Sequence, residues 1–397
     1  MKRIMILGAS ILQLPAIIKA KDMGLYVIAV DIDKNATGFQ YADESLLIST
    51  VDTEKILLAA LEKRIDGIMT LATDMPMRTV ATVAAKYGLM GVSIDTAICA
   101  TDKTKMRERL ALCKVPIPSF FKANNIDEYY KITSYFDDIF IVKPPDNSGS
   151  RGIYLVRSKN EIDKAFYHAK KYSRGGEILV EEYMSGREVS VETMSINGQV
   201  HVLAITDKIT TGPPYFVEMG HSQPAQFNIK TTERIKKVAT DAILALGIEN
   251  GPSHTEIIVT EEEPKIVEVG ARLGGDCITT HLVPLSTGID MVECCIKIAM
   301  KEKPALDARY NKASSIRYFN TSAGKIQSIQ GIEKALKIKG IREVTFVKKE
   351  GEIVKDINSS NDRIGFVIAQ DTHFKKAINA CEKAIRVIKI IIDSDLQ

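Results

Sequence analysis

The feature that most restricts the fold is the exchange of short apolar runs with helix-forming stretches along residues 1–93. Ile4-Met5-Ile6-Leu7 is apolar without interruption and stops at Gly8. Residues 26–30 form a second such run, ending at Asp31. Continuous rather than alternating apolar runs mark strands buried on both faces. Between them a helix carrying Ile17, Ile18 and Ala20 stops near Gly24. Residues 45–49 read as a strand, 53–63 as a helix, 67–70 as a strand and 75–86 as a helix, with Gly91-Val92 closing the segment. Such alternation requires a parallel sheet with right-handed crossovers. Gly8 is the only glycine of the first turn, where a dinucleotide fingerprint places three. Asp31 stands where a ribose-binding acid would fall, but a scaffold that forms one wall of a substrate site is the expected role.

The chain has 397 residues, enough for two or three domains. Apolar residues at 45% and charged residues at 26% give a globular balance. Fifty-three basic and 50 acidic side chains leave a net charge of +3 with no basic block, which argues against nucleic acid as the partner. The six cysteines form no CxxC pair, so a structural zinc site is not expected. No apolar stretch reaches the ~20 residues of a membrane span. Met1 leads straight into a strand without the features of a secretory signal, so the cytoplasm is the expected location.

Beyond residue 93 the pattern changes. A helix over 103–113 runs into Pro116 and Pro118. Strands at 139–143 and 153–157 flank a polar Gly/Ser loop, and a helix over 159–172 leads to a strand at 177–181. Asn197-Gly198 between two apolar runs signals a two-residue hairpin turn. After a helix over 231–246, strands near 253–259 and 265–269 frame the turn Glu261-Glu262-Glu263-Pro264. A helix over 288–300 ends the region. From Pro304 onward a strand-rich unit contains strands at 315–320, 344–348 and 364–369 and a final helix over 373–390.

Glu256 and Glu268 lie on the two strands of the second hairpin, and side chains so spaced can face one side. Converging carboxylates repel unless neutralised, which suits a hard cation completed by phosphate oxygens. Two solvated acids on an exposed hairpin is the competing reading. Arg272, four residues after Glu268, could stabilise charge on a transferred phosphoryl group. Gly274-Gly275 would let backbone approach a ligand closely.

Upstream, Lys143 ends an apolar strand before a loop containing Ser148, Gly149, Ser150 and Gly152. An ammonium facing backbone N–H groups suits a phosphate clamp, although a snorkelling lysine is the alternative. The stretch Glu181-Glu182-Tyr183-Met184 leads from a strand into a turn whose backbone could pair with an adenine edge, and Glu188 could accept from ribose hydroxyls.

The order Asp102-Lys103, Lys143 with its loop, 181–188, Glu256, Glu268 and Arg272 resembles the ATP-grasp superfamily. Gly251-Pro252-Ser253-His254-Thr255-Glu256 and Ala271-Arg272-Leu273-Gly274-Gly275 are most similar to the L-amino-acid ligases and related carboxylate–amine ligases. The resemblance implies an α/β protein, α+β in parts: a Rossmann-like domain over 1–93, an ATP-grasp domain over 94–305 with a lid near 115–183, and a C-terminal domain over 306–397 similar to that of biotin carboxylase. It implies that Lys103 and Lys143 contact ATP phosphates, that Glu256 and Glu268 hold one or two magnesium ions (manganese may substitute), and that Arg272 steadies an acyl-phosphate. Many members carry Asn two residues after the second glutamate; here the position is Gly270.

The implied reaction joins a small-molecule carboxylate to an amine with release of ADP and phosphate. Bicarbonate activation, as in carbamoyl-phosphate synthase or biotin carboxylase, is an alternative, and so is a nucleotide-binding regulator without chemistry. Residues 217–225 resemble a segment lining the acceptor site: Glu218 could hold an ammonium and His221 an anionic group, unless His221 is a satisfied loop histidine. Lys208 and Asp276 are further substrate candidates, Asp276 favouring a polar or amino-bearing substrate. A homodimer is plausible from the same resemblance.

Overall fold

The computed structural model describes residues 1–136, 139–147, 149 and 151–393. The first strands are β1 (Arg3–Leu7), β2 (Tyr26–Asp31), β3 (Glu44–Leu47) and β4 (Gly67–Met69), all parallel in the order β3-β2-β1-β4. Their uninterrupted apolar runs follow from burial on both faces. Ile4, Ile6, Val27 and Ala29 pack with Ala16 and Ile17 of helix Leu14–Asp22. Met5, Leu7, Ile28 and Val30 pack on the opposite side with helices Thr53–Lys63 and Met77–Tyr87. Gly91-Val92 forms no strand. It is a short link into helix Ile94–Thr101, whose start is capped by Ser93 Oγ accepting from the Thr96 N–H. Helix Lys103–Leu112 follows, capped in the same way by Asp102.

The next sheet is antiparallel: β5 (Phe120–Ala123), β6 (Phe140–Lys143), β7 (Tyr154–Val156) and β8 (Ile178–Glu182), ordered β5-β8-β6-β7. Tyr129 and Ile132 of helix Ile126–Thr133 and Ala165, Phe166 and Ala169 of helix Ile162–Tyr172 close its apolar face. This unit has its own core and hangs from the larger body by its ends.

That body is built on β9 (Arg187–Ile196), β10 (Gln199–Thr210), β11 (Glu218–Gln223), β12 (Gly251–Val259), β13 (Pro264–Gly270) and β14 (Ala313–Tyr318). Asn197 and Gly198 both take positive φ, the geometry of the tight turn that their sequence predicts. The remaining strands are β15 (Gly324–Gln330), β16 (Ile341–Phe346), β17 (Ile353–Val354), β18 (Gly365–Asp371) and β19 (Lys389–Asp393). One antiparallel sheet runs β13-β12-β9-β10-β11-β14-β18-β16, and a small one runs β17-β15-β19. The large sheet therefore continues across residue 305, where the sequence suggests a boundary. The final helix, Phe374–Val387, ends earlier than expected and gives way to β19. No helix among the described residues is long and apolar enough to cross a membrane.

Candidate active site

A cavity of about 540 Å³ lies between the β5–β8 unit and the exposed ends of β9, β10, β12 and β13. That volume suits a ligand of nucleotide size. On its floor Glu256 of β12 and Glu268 of β13 are direct partners in the antiparallel register, which brings both carboxylates to one face. Each is met by an ammonium group. Lys103 Nζ donates to Glu268 Oε1 at 2.8 Å and to the Asn147 carbonyl at 2.7 Å. Lys208 Nζ donates to Glu256 Oε1 at 2.8 Å and to Glu188 Oε1 at 2.5 Å, with Glu218 Oε1 at 3.7 Å. Burial opposes the charge of Lys208, but the three carboxylates outweigh it and hold the lysine well above its ordinary range. Burial likewise pushes Glu256 up, yet Lys208 and His254 bring it well below the carboxylate range.

Lys143 reaches the cavity from the end of β6. Its Nζ lies 2.5 Å from Glu181 Oε2, while Arg107 Nε donates to Glu181 Oε1 at 2.7 Å. All three side chains are buried. Burial raises the Glu181 carboxyl, but the two cations win and hold it at about 2. Burial pulls Lys143 below its ordinary value. Glu181 is thus an ionic anchor through its side chain. Tyr183, Met184 and Glu188 continue along the cavity wall. Glu182 turns to Lys265 Nζ at 3.0 Å and accepts the Ser119 N–H at 3.0 Å. Gly149 lines the cavity; Ser148 and Ser150 lie outside the described residues. Gly152 takes a positive φ, and a Cβ there would lie 2.6 Å from Tyr172 Cβ and 3.0 Å from the Pro144 ring, so glycine is required for this close packing.

Arg272 lines the same cavity, and its Nε and Nη2 donate to Asp74 Oδ1 and Oδ2 at 2.8 and 3.0 Å. Of the substrate candidates, Lys208 and Glu218 line this cavity, whereas His221, Gly274, Gly275 and Asp276 are outside its lining. Asp276 accepts from Arg363 Nη1 and Nη2 at 2.8 and 2.6 Å, and His221 Nε2 lies 3.2 Å from the same carboxylate. Burial alone would raise Asp276; Arg363 and His221 hold it well below the usual range. Both Asp276 oxygens are therefore occupied by the Arg363 guanidinium. Gly274 packs under His254 and Glu192, where a Cβ would lie 2.6 Å from His254 Nδ1, and Gly275 faces Ala72.

Four of these partners were not singled out from the sequence. Arg107 had a signal, lying one helical turn after Lys103 on the same face. Asp74 follows β4 at the carboxyl end of a parallel sheet, where ligand-facing loops collect. Glu192 of β9, which meets His254 Nδ1 at 2.8 Å, and Arg363, in the loop before β18, are remote in sequence and gave no local sign.

His254 Nε2 lies 3.4 Å from Glu256 Oε1, but no group of three or more acids, histidines or cysteines that could hold a metal is found among the described residues, so the two carboxylates leave room for the phosphate oxygens and waters that magnesium ordinarily keeps. The donor set fits that ion.

Residues 137–280 match the model of the ATP-grasp domain, and residues 317–393 match L-amino acid ligase C-terminal domain 2. The fold is similar to the crystal structure of an L-amino acid ligase from Bacillus licheniformis, with a TM-score of 0.84, 23% identity and 99% of each chain covered. It is also similar to that of phosphoribosylglycinamide synthetase from Anaerococcus prevotii, with a TM-score of 0.81, 26% identity, and 99% of this chain and 100% of that one covered. In sequence, a formate-dependent phosphoribosylglycinamide formyltransferase from Hydrogenovibrio crunogenus (strain DSM 25203 / XCL-2) is 24% identical over 98% of this chain and 96% of its own.

Proposed function

We propose that this chain, a member of the ATP-grasp ligases, joins a small-molecule carboxylate to an amine through an acyl-phosphate. The observation that carries the reading is the convergence of Glu256, Glu268, Lys103, Lys143 and Arg272 on one cavity of nucleotide size. That set supplies cations for a polyphosphate and an acidic pair for its counter-ion, and the reading gives the protein no nucleophilic role.

In the reaction a carboxylate oxygen of the substrate attacks the γ-phosphorus. The bond from that phosphorus to the bridging oxygen breaks and ADP leaves. The amine nitrogen then attacks the acyl carbon, phosphate departs with the C–O bonding pair, and the amine gives up a proton. Lys103 and Lys143 bind phosphate oxygens, and Glu188 orients the ribose. Glu181, itself anchored by Arg107, aims Lys143 and favours its charge. Arg272 stabilises the charge that grows on the transferred group. Glu256 and Glu268 would hold magnesium, which would supply charge neutralisation at the phosphates. The β5–β8 unit excludes water from the acyl-phosphate, which would otherwise hydrolyse.

ADP release from ATP and magnesium should require a carboxylate and an amine together, supplied first as mixtures of amino acids. Glu268→Gln should reduce it by at least about 100-fold while circular dichroism stays that of the wild type. Wild-type turnover in that variant would remove the acidic pair from the mechanism. A second reading is favoured by the likeness to phosphoribosylglycinamide enzymes. ADP release stimulated by formate with phosphoribosylglycinamide, and by no amino acid, would select it; stimulation by bicarbonate alone would select a carboxylating enzyme.

A further inference from the structure

Arg272 is held from outside its own strand region. Asp74 lies in the loop after β4, where its carbonyl also accepts the Met77 N–H at the start of helix Met77–Tyr87. Its carboxylate takes two parallel N–H bonds from Arg272, and Arg272 Nη1 donates further to the Leu273 carbonyl at 3.3 Å. The two paired side chains are each only 15% exposed. A planar guanidinium held at Nε and Nη2 by one carboxylate has its orientation fixed as well as its charge matched.

The neighbouring glycine carries an independent sign of the same arrangement. Gly270 ends β13 with a φ outside the left-handed region, so its backbone does not require glycine. Space does. A Cβ at residue 270 would lie 3.1 Å from Arg272 Cζ, 3.2 Å from Asp74 Oδ1 and 3.3 Å from Arg272 Nε. The ion pair fills the volume that any side chain at this position would enter.

We infer that Asp74 is the positioning residue for Arg272 and that Gly270 stays small so that their pair can form. The inference rests on the ligase reading for the role of Arg272, though not for the geometry. It also assigns a cause to the missing asparagine: here an Asn at 270 would strike the arginine before it could serve a metal, so installing it removes activity.

The test uses the full chain with ATP, magnesium and a mixture of the twenty amino acids, reading ADP release. Asp74→Asn should lower kcat by about 10- to 100-fold while KM for ATP stays within about twofold, because a misaimed arginine is felt at the transition state. Asp74→Glu, which keeps the charge, should recover part of the loss. Gly270→Ala should lose less than Gly270→Asn, and Gly270→Ala should cost nothing further on top of Asp74→Asn, since both act through one guanidinium. Wild-type kcat in Asp74→Asn, or a Gly270→Ala loss that multiplies in full onto Asp74→Asn, would overturn the inference. Crystal structures of Asp74→Asn and Gly270→Asn decide the geometry without turnover: the guanidinium should leave its place in both, and an unmoved Arg272 refutes the claim. A wild type that releases no ADP would sink the ligase reading alone and leave this second measurement standing.

Discussion

Glu181 gives one oxygen to Arg107 and the other to Lys143, and among the described residues neither cation is paired with another carboxylate. Replacing it with Gln leaves Arg107 and Lys143 buried with unmatched charge, which should cost about 3 kcal/mol. The pH dependence has a definite sign. The folded-state carboxyl lies at about 2, below the ordinary 4.5, so its stabilisation is complete above about 4.5 and is lost as pH falls toward 2. Urea unfolding of wild type and Glu181→Gln at pH 3 to 7 should show the widest gap above pH 4.5 and a narrowing gap below. A constant gap would mean that packing rather than charge is at stake. At this scale the sequence marked the residues whose type is unusual for their place. Lys143, Glu256 and Glu268 sit on apolar strands, where a charge calls for a partner. For Asp74 it offered only a place after a parallel strand, and for Arg363 nothing, because the partner of each, Arg272 or Asp276, is set opposite it only by the fold.

The passage from β8 to β9 joins the smaller sheet to the larger one, and Gly186 sits within it. A Cβ on Gly186 would lie 2.3 Å from the Val259 carbonyl oxygen at the far end of β12. Since that neighbour is backbone, relief requires the connection to move. Gly186→Ala should therefore destabilise by about 1–3 kcal/mol and weaken ATP binding, because Tyr183, Met184 and Glu188 line the cavity on either side of it. Thermal melting with and without ATP checks both effects; an unchanged melting temperature and an unchanged shift on adding ATP would refute them. Long buried strands and capped helices were readable as elements, as in β1, β2 and helix Thr53–Lys63. Phe120–Ala123 was not. Two of its four residues are exposed, so its place is fixed by pairing with β8 rather than by any pattern of its own. The isoleucines of β19 continue the apolar stripe of helix Phe374–Val387, and only pairing with β15 separates them.

Across the whole molecule the large sheet leaves no seam between the cavity and the C-terminal strands. β14 pairs with β11 on one side and β18 on the other, and Arg363 ties the loop before β18 to Asp276. The parallel N-terminal sheet is tied to the same region by Asp74 and Arg272. The general plan was legible because alternating and continuous apolar runs report which faces are covered. The continuity of the sheet was not, since strand order is set by pairings far apart in the chain. The lysines on the two floor carboxylates carry one last consequence. An acidic pair that already has its countercharge inside the chain can be synthesised, folded and kept without any ion being supplied. On the proposed reading, loading a nucleotide with its ion would exchange one set of positive charges for another. A chelator should therefore leave the melting temperature of the nucleotide-free protein unchanged within about 1 °C, and abolish only the extra rise that ATP with magnesium produces. A fall in the nucleotide-free melting point on adding EDTA would show instead that an ion belongs to the resting structure.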